Sequence, residues 1–274
     1  MVLAACDRSG ADSADEKQPH DSGDGETGVT DSGGPGDSGP ADTGDTAVVG
    51  EWATGGTASM SGDYPDPFTP STECAIFCAM TLGPCYDTTP ERQDVSEGAD
   101  GLPVRLALRI LDDACQPVPG ALVEIWHTHP NGLYSGAQAL EMCTTGDPEA
   151  VAAYWFRGGQ VSDESGRVDF DSCLPGWYFG RAIHIHFQVM VGGVNYSISQ
   201  LFFPQDLLDG IYATEPIYSA RGTPDTTNAG DSILSSTDNP DLYLLEWSKQ
   251  ADGAMLAWKT IVIRSSLEQD QCSA

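Results

Sequence analysis

Residues 181–203, "RAIHIHFQVMVGGVNYSISQLFF", decide the fold. Apolar and polar residues alternate from Ile183 to Phe187, and a Gly192-Gly193 pair separates this run from a second one, which reads as a β-hairpin. Side chains alternate along a strand, so His184 and His186 point one way while Ile183, Ile185 and Phe187 point the other. The same period recurs outward from this stretch. "PVRLALRIL" (103–111) places Val104, Leu106, Leu108 and Ile110 on one face, "DDACQPVPG" supplies a turn, and "ALVEIW" (121–126) follows. "GGQVSDESGRVDF" (158–170) reads as strand, tight turn at Glu164 to Gly166, and strand; "AMLAWKTIVIR" (254–264) reads as a final strand. Helix signals are confined to short pieces near Asp147 to Tyr154 and Pro204 to Ile211. Together these features predict an all-β fold, an antiparallel β-sandwich with long loops and few short helices.

The remainder of the 274-residue chain is of a different character. From Asp7 to Gly50, eleven acidic residues stand against Arg8 and Lys17, there are no aromatics, and Asp, Ser, Thr, Gly and Pro repeat. Such a segment cannot bury enough apolar surface to offset its ordering entropy, so 7–50 is expected to be a disordered acidic tether. Residues 51–274 then form the folded domain. The net charge of −29 repels phosphate backbones and anionic headgroups, so no nucleic-acid partner is expected. No run of eighteen apolar residues is long enough to span a bilayer as a helix.

Leu3-Ala4-Ala5-Cys6 has the form of a bacterial lipoprotein cleavage box followed at once by a spacer. Residues 1–6 therefore read as the remnant of a signal and lipobox, and the expectation is an exported chain, lipid-anchored through Cys6 or otherwise extracellular or periplasmic. Beyond Cys6 lie Cys74, Cys78, Cys85, Cys115, Cys143, Cys173 and Cys272. Their number suits an oxidising compartment, and their spacing is not that of paired Cys-x-x-Cys zinc arrays. Structural disulfides are expected, with at least one of the seven left over and the connectivity open.

The strand that carries His184 and His186 raises the chemical question. Two imidazoles on one strand face can bind a single metal ion, yet either can also fill a polar niche. A second copy, His127-Thr128-His129, means that the bare pattern does not say which pair binds, or whether all four form one zinc or copper site.

The surrounding residues discriminate between these readings. "GPCYDTTPERQDVSEGADGLPVRLALRILDDACQPVPGALVEIWHTHPNGLYSG", then "FRGGQVSDESGRVDFDSCLPGWYFGRAIHIHF", then "SQLFF" resemble the intradiol ring-cleavage dioxygenases, with a weaker echo at "TTNAGDSIL". The likeness is closest to the short secreted members, and several separated motifs occur in the family's order. It implies a non-haem Fe(III) ion held by Tyr134, Tyr178, His184 and His186, with His127 and His129 outside the ligand set. It also implies a catechol-type ortho-diol and dioxygen as substrates, ring opening between the two hydroxyls to a muconate-type diacid, and displacement of the Tyr178 phenolate when the diol binds. By the same likeness Arg181 lies beside the bound ring as its counter-charge, and Gln200 positions the arginine or the oxygenated substrate. Arg157 recurs in the secreted members, with only a supporting or structural role implied.

Hard, highly charged ferric iron favours anionic oxygen donors and lowers a phenol's pKa far below its ordinary value of about 10, so two tyrosines suit it. Three departures stand out. The loop from Tyr178 to His184 is short, the acidic tether and the cysteine-bearing stretch around Cys74 to Cys85 stand in place of the helical dimerisation region of catechol 1,2-dioxygenases, and Cys85 stands where a tyrosine is common. These leave the ring substituents and the oligomeric state open. The reading from a different class is a non-catalytic extracellular β-sandwich binding module.

Overall fold

A computed structural model describes residues 51–70, 74–269 and 271–272; the Leu3–Cys6 box and the acidic tether lie outside them. The alternation at 103–111 becomes strand β1 (Pro103–Asp112), whose Val104, Leu106, Leu108 and Ile110 are almost wholly buried in the main core. Strands β2 (Leu122–Trp126), β3 (Arg157–Val161), β4 (Arg167–Cys173), β5 (His184–Val191), β6 (Val194–Phe202), β7 (Glu246–Lys249) and β8 (Met255–Ile263) complete two four-stranded sheets. The first has the order β4-β1-β8-β7 and the second β3-β2-β5-β6.

The sandwich expected from the sequence is therefore present, with one correction: β1 and β8 pair in parallel, so the first sheet is mixed. Parallel neighbours need a long crossover, and here the whole second sheet lies between them in the chain. The two strands flanking the 164–166 turn also part company. β3 joins β2 in the second sheet while β4 joins β1 in the first, so this turn crosses between layers.

Four short helices sit in the connections: α1 (Glu141–Thr144), α2 (Pro148–Ala152), α3 (Gln205–Thr214) and α4 (Pro216–Ser219). The second and third match the two helical pieces read from the sequence. Asp147 caps α2 by accepting from the amides of Glu149 and Ala150, both at 2.9 Å.

Among the described residues three disulfides form, Cys74–Cys115, Cys78–Cys272 and Cys85–Cys143, and Cys173 is free and buried. This agrees with the expectation of structural bridges and an odd thiol. Burial pushes the Cys173 thiol up to about 12.

On β5, Ile185, Phe187 and Val189 pack between the sheets and are at most 1% exposed. His184, His186 and Gln188 consequently lie on the outer face of the second sheet. Cross-strand register places Trp126 of β2 and Gln200 of β6 on either side of His186. The long loops 83–87, 128–143 and 176–181 cover this face.

Two of those loops meet at Gly176, whose amide donates to His129 O at 3.3 Å and whose carbonyl accepts from Thr128 Oγ1 at 2.6 Å. A Cβ at Gly176 would lie 2.2 Å from Pro130 O and 2.7 Å from His129 O, both of them backbone atoms that cannot swing aside. Gly176→Ala is expected to lower stability by about 3 kcal/mol, read as the urea midpoint of the purified chain. An unchanged midpoint would show that the loops can part without cost.

Candidate metal centre

The outer face of β5 is where the candidate residues meet. His184 Nδ1 donates to the carbonyl of Ala182 at 2.7 Å, which leaves Nε2 as the lone-pair nitrogen. That Nε2 lies 3.1 Å from His186 Nε2, 3.4 Å from the Tyr134 hydroxyl and 3.4 Å from the Tyr178 hydroxyl. Four donor atoms from two loops and one strand thus converge on one point.

His186 is fixed by stacking, its ring nearly parallel to Trp126 with centroids 4.9 Å apart. Gly83 closes over it, since a Cβ there would stand 3.2 Å from His186 Cε1. Tyr134 is 2% exposed and Tyr178 half-buried.

The electrostatics without an ion are those of a neutral cluster. Burial lowers both histidines far from their ordinary range, and for His186 the neighbouring His184 and Arg181 act in the same direction. Burial raises both tyrosines, Tyr134 the more; on Tyr178 the charge of Arg181 and a hydrogen bond with Tyr134 oppose the rise.

Two imidazole nitrogens and two phenol oxygens so arranged fit a hard metal ion. Donors each about 2 Å from a shared ion lie roughly 3 Å apart, which is the spacing here, and a highly charged ion turns buried phenols into phenolates.

His127 and His129 are not part of this group. His127 bonds Ser172 Oγ and the carbonyl of Thr128, each at 2.8 Å, and His129 Nδ1 accepts from the amide of Asn131 at 3.1 Å. Among the described residues no set of three or more His, Cys, Asp or Glu side chains is placed to hold a metal. The four-histidine zinc or copper site open at the level of sequence therefore has no geometric basis.

Arg181 and Gln200 are brought together as expected, with Nη2 donating to Oε1 at 2.5 Å. The sequence reading missed what stands behind them. Asp231, 0% exposed, accepts from Arg181 Nε at 2.8 Å and from the amides of Ala182, Ile233 and Leu234 at 2.8–3.0 Å. One carboxylate therefore ties the approach to β5 to the 231–234 turn. The only signal for it was its place in "TTNAGDSIL".

A cavity of about 400 Å³ opens beside the donor cluster, walled by Tyr134, Tyr178, Leu133, Trp177 and the Cys85–Cys143 bridge. Met142 and Phe179, 74% and 87% exposed, stand at its rim.

Burial raises the Asp231 carboxyl, but the hydrogen bonds and charge of Arg181 and the amides of Leu234 and Ala182 outweigh it and hold the group below the usual carboxylate range. A depressed carboxyl stabilises the fold above its unfolded value of about 3.9, and the contribution fades as pH falls through the folded value. Asp231→Asn should therefore cost about 3 kcal/mol at pH 7, with a deficit that narrows in acid below about pH 4. Denaturant unfolding of both chains at several pH values tests this, and a deficit independent of pH would contradict the ionic lock.

A family model described as "Dioxygenase" matches residues 78–228. The protocatechuate 3,4-dioxygenase beta chain of Burkholderia cepacia is 29% identical over 171 residues, covering 58% of this chain and 66% of the relative. Chlorocatechol 1,2-dioxygenase of Rhodococcus opacus is 27% identical over 138 residues, covering 43% and 49%. The chain thus spans less than two thirds of the length of either. Among solved structures, an intradiol ring-cleavage dioxygenase from Tetranychus urticae superposes with a TM-score of 0.63 at 24% identity, over 73% of this chain and all of that one, which shows a shared fold. With the matching model spanning more than half of the chain and the sandwich in common, the chain belongs to the intradiol ring-cleavage dioxygenase family.

Proposed function

We propose that this protein is a non-haem ferric dioxygenase that opens the ring of a catechol-type ortho-diol between its two hydroxyl-bearing carbons. Both atoms of dioxygen enter the product, a muconate-type diacid. The observation that carries this reading is the convergence of Tyr134, Tyr178, His184 and His186 at 3.1–3.4 Å beside an open cavity. When bound, ferric iron supplies Lewis acidity toward the diol and toward the ring that dioxygen attacks.

The side chains divide the work. His184 and His186, neutral and buried, serve as fixed nitrogen donors, one oriented by the Ala182 carbonyl and the other by Trp126. Tyr134 is the buried phenolate. Tyr178, partly buried on the cavity wall, is the phenolate free to swing away and take up a proton from the diol at its hydroxyl oxygen.

Arg181 holds a positive charge beside the ring position where negative charge develops, and Asp231 and Gln200 fix its direction. The walls of the cavity contributed by Leu133 and Trp177 exclude water from the activated ring. Three disulfides support a site of action in an oxidising compartment. Export with a lipid anchor at Cys6 is the localisation that goes with it.

The purified chain is expected to contain iron, to be red-brown from tyrosinate-to-iron charge transfer, and to lose that colour in Tyr134→Phe and Tyr178→Phe. Dioxygen uptake is expected with at least one of catechol, protocatechuate, hydroxyquinol or a lignin-like diol, and Arg181→Met should reduce kcat/KM by about 10²-fold. Colourless protein carrying stoichiometric zinc, or iron-replete protein that consumes no dioxygen with any of these diols, would overturn the proposal.

A further inference from the structure

The two tyrosines are held very differently. Among the described residues no hydrogen bond reaches the backbone of Tyr178, whereas Tyr134 sits inside a closed circuit. The Tyr134 amide donates to the carbonyl of Cys143 at 3.0 Å, and the next carbonyl, that of Ser135, accepts from Arg157 Nε at 2.9 Å. Arg157 Nη2 reaches the carbonyl of Cys85 at 2.6 Å, and Cys85 is bonded through sulfur to Cys143. The path from Tyr134 through Ser135, Arg157, Cys85 and Cys143 thus returns to Tyr134.

Further bonds brace the same loop. Ser135 Oγ donates to Trp155 O at 2.7 Å, the Gly136 amide to Ala150 O at 2.9 Å, and the Gln138 amide to Asp87 Oδ2 at 2.8 Å.

Arg157 is fully buried, so its guanidinium has given up water to reach two backbone carbonyls. Only a planar fork spans both at once; a lysine ammonium offers one compact charge on a flexible stem. A buried arginine that joins the strand start of β3 to loops 83–87 and 128–143 holds geometry, and the loop segment it holds is the one that carries Tyr134.

We infer that Arg157 and the Cys85–Cys143 disulfide are positioning groups that fix Tyr134 as the permanent phenolate of the site, leaving Tyr178 as the one that moves. The inference rests on the dioxygenase reading for the role of that phenolate, while the clamp itself is a property of the chain.

The test compares Cys85→Ser/Cys143→Ser with Cys74→Ser/Cys115→Ser in the full chain. The two bridges close comparable lengths, with sequence separations of 58 and 41, so loss of either relaxes the unfolded chain to a similar degree. Arg157→Lys is the third variant, with the disulfide intact. Two quantities are read: iron release to a chelator together with the visible band, and amide hydrogen exchange at Tyr134 in chelator-treated protein.

Loss of Cys85–Cys143 should speed both iron release and Tyr134 exchange at least tenfold and shift the visible band. Arg157→Lys should move them in the same direction, while loss of Cys74–Cys115 leaves them within twofold of the parent. Equal effects from the two double variants, or parental exchange at Tyr134 in Arg157→Lys, would overturn the clamp. Should Cys85→Ser/Cys143→Ser not fold, Arg157→Lys decides alone. If the parent chain takes up no iron, the dioxygenase reading fails and the exchange measurement still judges the clamp.

Discussion

A pleated strand has two faces, and β5 has committed one of them. Ile185, Phe187 and Val189 fill the space between the sheets, which sends His184, His186 and Gln188 to the outer surface of the second sheet. Polar groups on that face would ordinarily meet water. Here they are buried, so the face must have a cover, and its polar atoms are partnered except for His186 Nδ1. Much of the irregular part of the molecule follows from this requirement: the loops bearing Cys85, Tyr134 and Tyr178 form the cover, and their own side chains complete the cluster beneath. The sandwich core behind β5 supplies rigidity, so the two imidazoles are placed by the packing of residues that never touch them.

The extent to which this was legible in the sequence varied with the range of the interaction. Local alternation announced β1, β2, β5, β6 and β8, and the runs on either side of the 164–166 turn announced β3 and β4. β7 has only four residues, Glu246–Lys249, too few for a period to register. The parallel pairing of β1 with β8 joins positions about 150 residues apart in the chain, and nothing local marks such a partner. The disulfide pattern was hidden for the same reason.

At the site, the two histidines were readable from strand period, whereas Tyr134 and Tyr178 lie in loops and were recognisable only from the order of the motifs around them. Asp231 was lost among forty-one acidic residues, since a carboxylate that is wholly buried looks in sequence like any other in so acidic a chain. Arg157 stood in a recognisable stretch, but its work lies in reaching two carbonyls from other loops, contacts that exist only once the sheets have closed.

Cys173 gives the closed molecule one further property. Its sulfur is buried at the end of β4, near the carbonyl of Ala99, with a thiol pushed so high that almost no thiolate exists near neutrality. In an oxidising compartment an odd cysteine is a competitor for every bridge in the chain, and burial takes it out of that competition only after folding is complete. While the sandwich is shut, that burial keeps the sulfur away from solvent and from the three bridges.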